Sequence, residues 1–415
     1  SVGWRLDKEK FFPISKKIVN MAKIRASYGV LGNENIGEYM YMATMKRNNM
    51  TYSFGNNVVT GSAVSEFVNK NIAWEKKKST NIGIDLAMFN NRFEFTAEWY
   101  KNRSEDLLYG VPPTQTGVAN ATVTMNAASM DNSGFEFSAT YRNHDHPFKY
   151  DVSANLSTLK NKVTSLGFGT KSYITGAYAT YVGQEIGQFY GWVYEGLART
   201  QSDLDNHATQ QGANLGDCLY KDISGPNGEP DGVIDAYDQT VLGSGLPKVN
   251  FGLSAHMEYK NFDLSISTYG VLNYHVSDDI YNSLNSCYGW GNKDVAMADA
   301  NRFSEDGSTY LSSVPRTYAA NKATLAWNDL FSSRKIQNAA YWKIANVELG
   351  YNFPDQWFRG LVSGVRVYVS AQNLYTFTGY KGYNVDYAGG TFTPGYNFCS
   401  FPSARSFMAG LHFTF

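Results

Sequence analysis

Several things are scarce in this sequence, and each scarcity removes a class of explanation. No apolar run approaches the roughly 20 residues that a membrane-crossing helix needs. Charged residues are only 18% of the chain, with 36 Lys and Arg against 37 Asp and Glu, so no basic face points to nucleic acid. The three cysteines, Cys218, Cys287 and Cys399, match neither a metal-ligand spacing nor a complete disulfide framework. Cys287 and Cys399 both fall in long connecting segments, where they could pair or remain free thiols. The six histidines are scattered, and no Ser/His/Asp grouping recurs near the bases of neighbouring segments, which argues against a protease or lipase. Gly243-Ser-Gly245 has no strand-to-helix context and is not a phosphate loop. His144-Asp145-His146 would offer two metal ligands only on a bent backbone. No amino-terminal signal precedes Ser-Val-Gly-Trp-Arg-Leu, so the sequence is expected to be a mature or truncated form of an exported protein.

What is abundant is aromatic residues, at 15% with 30 Tyr and 8 Trp, together with 38 Gly. Apolar residues recur at every second position, the period at which side chains on a strand share a face. Ile24, Ala26, Tyr28 and Val30 form one such set, and Ile82, Ile84, Leu86 and Met88 another. Phe93 to Trp99, Phe135 to Tyr141, Phe148 to Leu156, Val249 to Tyr259, Phe262 to Ile266, Val347 to Tyr351 and Val365 to Ala371 continue the pattern. At the end, Phe407, Ala409, Leu411, Phe413 and Phe415 alternate with Ser406, Met408, Gly410, His412 and Thr414. With Val2, Trp4 and Leu6, the pattern predicts about 11 strands of roughly ten residues, the length that crosses a bilayer when tilted. The intervening positions carry Arg92, Glu94, Glu98, Arg142, Asp151, Asp263 and Arg366. Charges facing lipid would cost several kcal/mol each at the midplane, so this face must line a wet or covered interior. Such charges either line a transport path or pair across strands.

The connections fall into two alternating classes. Asn90-Asn91, His144–Pro147, Lys260-Asn261 and the Pro354 region are short and rich in turn residues. Residues 32–78, 105–132, 159–247, 274–339 and 375–402 are long. Outer-membrane barrels have short periplasmic turns and long extracellular loops. The reading is therefore all-β: an antiparallel transmembrane barrel with Phe407, Leu411, Phe413 and Phe415 as its terminal insertion signature. An odd number of strands leaves unpaired edges, which hydrocarbon does not tolerate. Residues 1–415 are accordingly expected to be the carboxyl-terminal portion of one larger barrel domain.

Motifs along the chain sharpen this. Lys23-Ile-Arg-Ala-Ser-Tyr-Gly-Val-Leu-Gly-Asn33, Trp74-Glu75 with Asn81-Ile-Gly-Ile-Asp85, and Tyr100-Lys-Asn-Arg-Ser-Glu-Asp-Leu-Leu108 come first. Gly187-Gln-Phe-Tyr-Gly-Trp192, Asp231-Gly-Val-Ile-Asp235, Tyr341 to Tyr351, Gln372-Asn-Leu-Tyr375 and Gly379-Tyr-Lys-Gly-Tyr383 follow. In this order they resemble the SusC/RagA family of TonB-dependent outer-membrane transporters over nearly the whole chain. The resemblance implies about the last half of a roughly 22-stranded barrel, with an amino-terminal plug domain and a TonB-contacting segment that this sequence does not contain. It implies as partners a SusD-like surface lipoprotein, the TonB complex, outer-membrane lipid and a large nutrient, glycan or oligopeptide, imported by a protein that is not an enzyme. A passive porin and a secreted β-sandwich adhesin are the alternatives.

Two groups are candidate sites. Asp222, Asp231, Asp235 and Asp238, with Gly232, resemble parts of a calcium loop, whose hard oxygens would hold a structural Ca2+. The spacing departs from a strict EF-hand through residues 226–230, and a self-capped Asp-rich turn is the other reading. The long segments also carry Tyr190, Trp192, Tyr288, Trp290, Tyr380 and Tyr383. Flat rings suit stacking on sugars or peptide side chains, and suit packing of loops on one another equally well.

Overall fold

The computed structural model describes residues 1–33, 39, 41–42, 45–64, 69–111, 123–167, 169–287, 291–317, 327–358, 362–386 and 389–415. Its main element is a large antiparallel sheet whose eleven successive strands each lie beside their neighbours in sequence. They are β1 (Val2–Arg5), β2 (Val19–Asn33), β3 (Glu75–Met88), β4 (Phe93–Val111), β5 (Val123–Asn143), β6 (Phe148–Thr158), β7 (Val249–Tyr259), β8 (Phe262–Leu272), β9 (Tyr341–Phe353), β10 (Gly364–Thr378) and β11 (Ser406–Thr414). A twelfth, Lys160–Ser165, pairs with β5 beside that path. Such a meander is what short turns between alternating segments dictate. The described helices are short, none being long or apolar enough to cross a membrane.

The chain forms two compact units. The first comprises Ser1–Phe137, Thr158–Tyr173 and Tyr181–Glu185. Here β3 and β4 pair without a break from Lys76↔Glu105 to Met88↔Phe93. Phe89, Asn90 and Asn91 turn the chain with φ of 53°, 58° and 61°, a region that asparagine tolerates far better than most residues. Strands β4 and β5 run to 19 and 21 residues, well beyond the ten that the apolar pattern implied. The ladder continues because cross-strand ion pairs take over where the apolar pattern stops, among them Lys78 with Glu105 at 2.6 Å.

The second unit comprises Ser138–Ser157, Ile174–Thr180 and Ile186–Phe415. Strands β7 and β8 pair from Val249↔Leu272 to Tyr259↔Phe262 around a two-residue turn at Lys260-Asn261. The long connections fold into small cores of their own. One joins Val271, Tyr274, Val276, Ala339, Tyr341, Tyr380 and Val385; another joins Cys218, Tyr220, Ile234 and Trp327. Burying a large apolar side chain contributes about 1.5–3 kcal/mol, so a few per cluster suffice to hold each loop. The strand His275–Asp278 pairs with Gln337–Asn338 on one side and with Tyr396–Asn397 on the other. That stitches connection 273–340 to connection 379–405.

Candidate ligand-facing wall and loops

Register assigns every sheet residue to one of two faces. In the first unit Arg25, Gly83 and Glu98 are consecutive partners on β2, β3 and β4. Arg25 bridges Asp85, at 3.2 Å, and Glu98. Its guanidinium lies over Gly83, where a Cβ would come within 3.0 Å of it. The second unit repeats the device. Arg366 bridges Asp263, which also accepts from Asn352 Nδ2 at 2.8 Å, and Glu348 at 2.7 Å. It does so across Gly350, whose added Cβ would sit 2.6 Å from Arg366 Nε. Of the sequence-identified charges, Glu98, Asp263 and Arg366 therefore stand in cross-strand bridges. Arg142 and His144 approach Asp151 at 3.9 and 3.0 Å, while Lys149 and His256 approach Glu258 at 3.6 and 3.3 Å. His144, Lys149, Tyr150, Asp151, His256 and Glu258 line a cavity of about 310 Å³.

The opposite face is apolar and exposed. Phe407 is 71% exposed, and Leu411, Phe413 and Phe415 are exposed with it. Trp342 stacks on Phe377 at 5.3 Å, and Tyr375 meets Phe377 at 4.7 Å. Near the short turns, Phe262, Tyr351, Phe353 and Trp357 form a second aromatic chain, with centroids 4.9–5.7 Å apart. Two aromatic bands flanking an apolar zone are the mark of a strand wall in a bilayer.

The candidate loop aromatics separate. Trp192 packs on Tyr220 and donates its indole N–H to Asp235 O at 3.0 Å, so it belongs to a loop core. Tyr380 is buried; its hydroxyl donates to Asp278 and accepts from Asn397 Nδ2 at 2.9 Å. Burial and the Asp278 carboxylate both push that phenol's pKa up. Tyr190 is half-buried in the pair Gln188–Gly191 with Thr240–Ser244. Tyr383 is 61% exposed and lines a cleft of about 320 Å³ with Asn373, Thr376, Asn384, Ser403 and Arg405. Tyr288 and Trp290 lie outside the described residues. A further cavity of about 510 Å³ collects neutral polar groups, among them Asn155, Asn250, Ser254, Ser267 and Tyr269. Asp386, missed in the sequence, ties this region together: Lys343 pairs with it and Tyr269 Oη donates to it at 3.3 Å. Only folding places those groups side by side, from positions 117 residues apart.

In the Asp-rich turn Asp238 is fully buried. It accepts from the backbone N–H groups of Ile223 and Asp235, both at 2.8 Å, and of Ser224 at 3.2 Å. Asp222 accepts from Gly232 N, Asp231 from Val233 N and Asp235 from Tyr237 N. A cation held here would have to draw these oxygens away from the backbone. Among the described residues no group of three or more His, Cys, Asp or Glu is arranged to hold a metal ion. Cys287 is buried and Cys399 exposed, and both are free thiols.

No protein-family model matches the chain. It is 31% identical to TonB-dependent receptor P3 of Formosa agariphila, over all of this chain and 41% of that protein. It is 27% identical to TonB-dependent receptor SusC of Bacteroides thetaiotaomicron, over all of this chain and 39% of that protein. Among solved structures, the RagAB peptide transporter superposes over the whole chain with a TM-score of 0.79 at 23% identity, the match covering 43% of that chain. The chain thus spans about two-fifths of the length of the relatives it matches. Over its whole length the chain is similar to TonB-dependent receptors, and its sheet has the fold of the matched part of the RagAB transporter.

Proposed function

We propose that this chain forms part of the wall and extracellular loops of an outer-membrane importer. The importer takes up a large nutrient, an oligopeptide or a glycan, by a TonB-driven cycle, with a SusD-like lipoprotein over the loops. The observation that carries this reading is the asymmetry of the wall. One face is apolar and framed by aromatic bands, while the other is polar, ion-paired and interrupted by glycines. The second unit's loops are stitched to one another above strands β8 to β10. Support comes from relatives named as TonB-dependent receptors and from a structural neighbour described as a peptide transporter. Arginine–carboxylate bridges hold the strands together and present a hydrated surface. The neutral amides and hydroxyls around Asn155, Asn250 and Tyr269 suit backbone amides and sugar hydroxyls alike.

The test is uptake by cells that carry the intact protein, using a fluorescent oligopeptide mixture and a fluorescent glycan mixture. Accumulation of one of them should stop when a protonophore collapses the inner-membrane gradient and when TonB is deleted. Uptake that survives both treatments makes the protein a passive pore. Recovery of the protein in the medium rather than the outer membrane makes it an adhesin.

A further inference from the structure

The first unit carries a charge cluster on the wrong face for transport. From Arg25, Asp85 and Glu98 on the polar face, the unbroken register places the even residues of β3 and the odd residues of β4 on the apolar face. Moving away from the Phe89–Asn91 turn, that face reads Phe93, Phe95, Ala97 and Trp99 on β4, opposite Ile84 and Ile82 on β3. It then changes abruptly to Lys101 and Arg103, opposite Thr80 and Lys78, with Lys76 and Glu105 beyond. A tilted strand crosses hydrocarbon in about 9–11 residues. Lys101 and Arg103 stand at the ninth and eleventh positions from Phe93, where the wall leaves the apolar layer on the long-loop side.

Asp131 of β5 completes the cluster, 3.1 Å from Lys101 and 3.8 Å from Arg103. Lys76 approaches Asp106 at 3.0 Å and Arg103 approaches Glu105 at 3.0 Å. Among the described residues, these four cations are paired with three carboxylates, Glu105, Asp106 and Asp131. The cation side chains remain 38–55% exposed. Exposed pairs of this kind are worth little individually, so they do not by themselves account for four long cations at a lipid boundary. In the second unit the apolar-face residues at the same end of the strands are uncharged: Val249, Phe251, Leu272, Trp342 and Phe377. The cluster is therefore local, and it lies where the apolar stretch of the strand ends.

We propose that Lys76, Lys78, Lys101 and Arg103 form a binding site for the phosphate groups of a phosphorylated glycolipid in the outer leaflet, with the arginine fork and three ammonium groups as donors. Glu105, Asp106 and Asp131 hold these side chains extended along the strands. This rests on the reading of the apolar face as lipid-facing.

The test uses the intact protein purified in detergent, offered lipid A carrying both phosphates, dephosphorylated lipid A, or inorganic phosphate, and read by native mass spectrometry. Phosphorylated lipid A should be retained and dephosphorylated lipid A released. Each of Lys78→Gln and Arg103→Gln should weaken retention about five-fold, the scale of one cation at a charged membrane surface. Lys149→Gln, on the polar face, should leave it unchanged. Equal retention by the charge variants, or of the dephosphorylated lipid, overturns the proposal. Inorganic phosphate binding as strongly as lipid A would show an ion site rather than a lipid site, and overturns it too. Strand circular dichroism and a heat-dependent shift on gel electrophoresis confirm that each variant is folded. A protein that stays folded and dispersed without detergent would instead refute the lipid-facing reading on which the site rests.

Discussion

At the scale of single residues, the three cysteines show how position decides chemistry. Burial pushes the Cys218 and Cys287 thiols from an ordinary value of 9.0 to about 12, whereas Cys399 is exposed. A maleimide at pH 8 should therefore label one of the three thiols in the native protein and all three in denaturant, counted by mass spectrometry. The sign of the linkage follows. A thiol whose folded ionisation is raised contributes stability below about pH 9, which is lost as pH climbs toward 12. The thermal midpoint should fall across that window, and fall less when Cys218 and Cys287 are both replaced by serine. Alternation in the sequence identified Asp263 and Arg366 as interior charges but not as partners. Residues 103 apart became a bridge only when β8, β9 and β10 came together. Gly350 is legible only afterwards, as the position that leaves room for the guanidinium.

At the scale of elements, the Asp-rich turn behaves as a self-capped unit. Asp238 holds three backbone N–H groups from two stretches of chain, and leaving such buried donors unpaired costs about 1–3 kcal/mol each. Asp238→Ala should expose residues 222–238 to limited proteolysis, with cleavage mapped by mass spectrometry. Asp238→Asn, which keeps one acceptor, should expose them less. With the carboxylates already turned onto the backbone, a chelator should leave the wild-type cleavage pattern unchanged; a pattern like that of Asp238→Ala would show that a cation also holds the turn. The composition of the turn was plain in the sequence. Which way its carboxylates point was not, because backbone amides and cations compete for the same oxygens.

At the scale of the whole molecule, the two faces of the sheet should respond differently to the same change. Leu349 is 45% exposed on the apolar face, between Leu264 and Val369. Ser254 is exposed on the polar face, opposite Ser267. Leu349→Lys should cost about 2–4 kcal/mol of folding stability in lipid vesicles, while Ser254→Lys should cost under about 1 kcal/mol. Urea titrations of vesicle-inserted protein measure both, and equal costs would contradict the assignment of faces.

Period-two alternation determined the strands, their faces and the parity of short and long connections by itself, because strand geometry ties each residue's direction to its place in sequence. Tertiary structure alone decided the rest. It carried β4 and β5 past the apolar pattern on ladders of ion pairs, and sank Trp192 and Tyr380 into loop cores while leaving Tyr383 open. It also closed the bridges around Arg25 and Arg366. These outcomes depend on contacts between residues far apart in the chain, and no local pattern carries the identity of a distant neighbour.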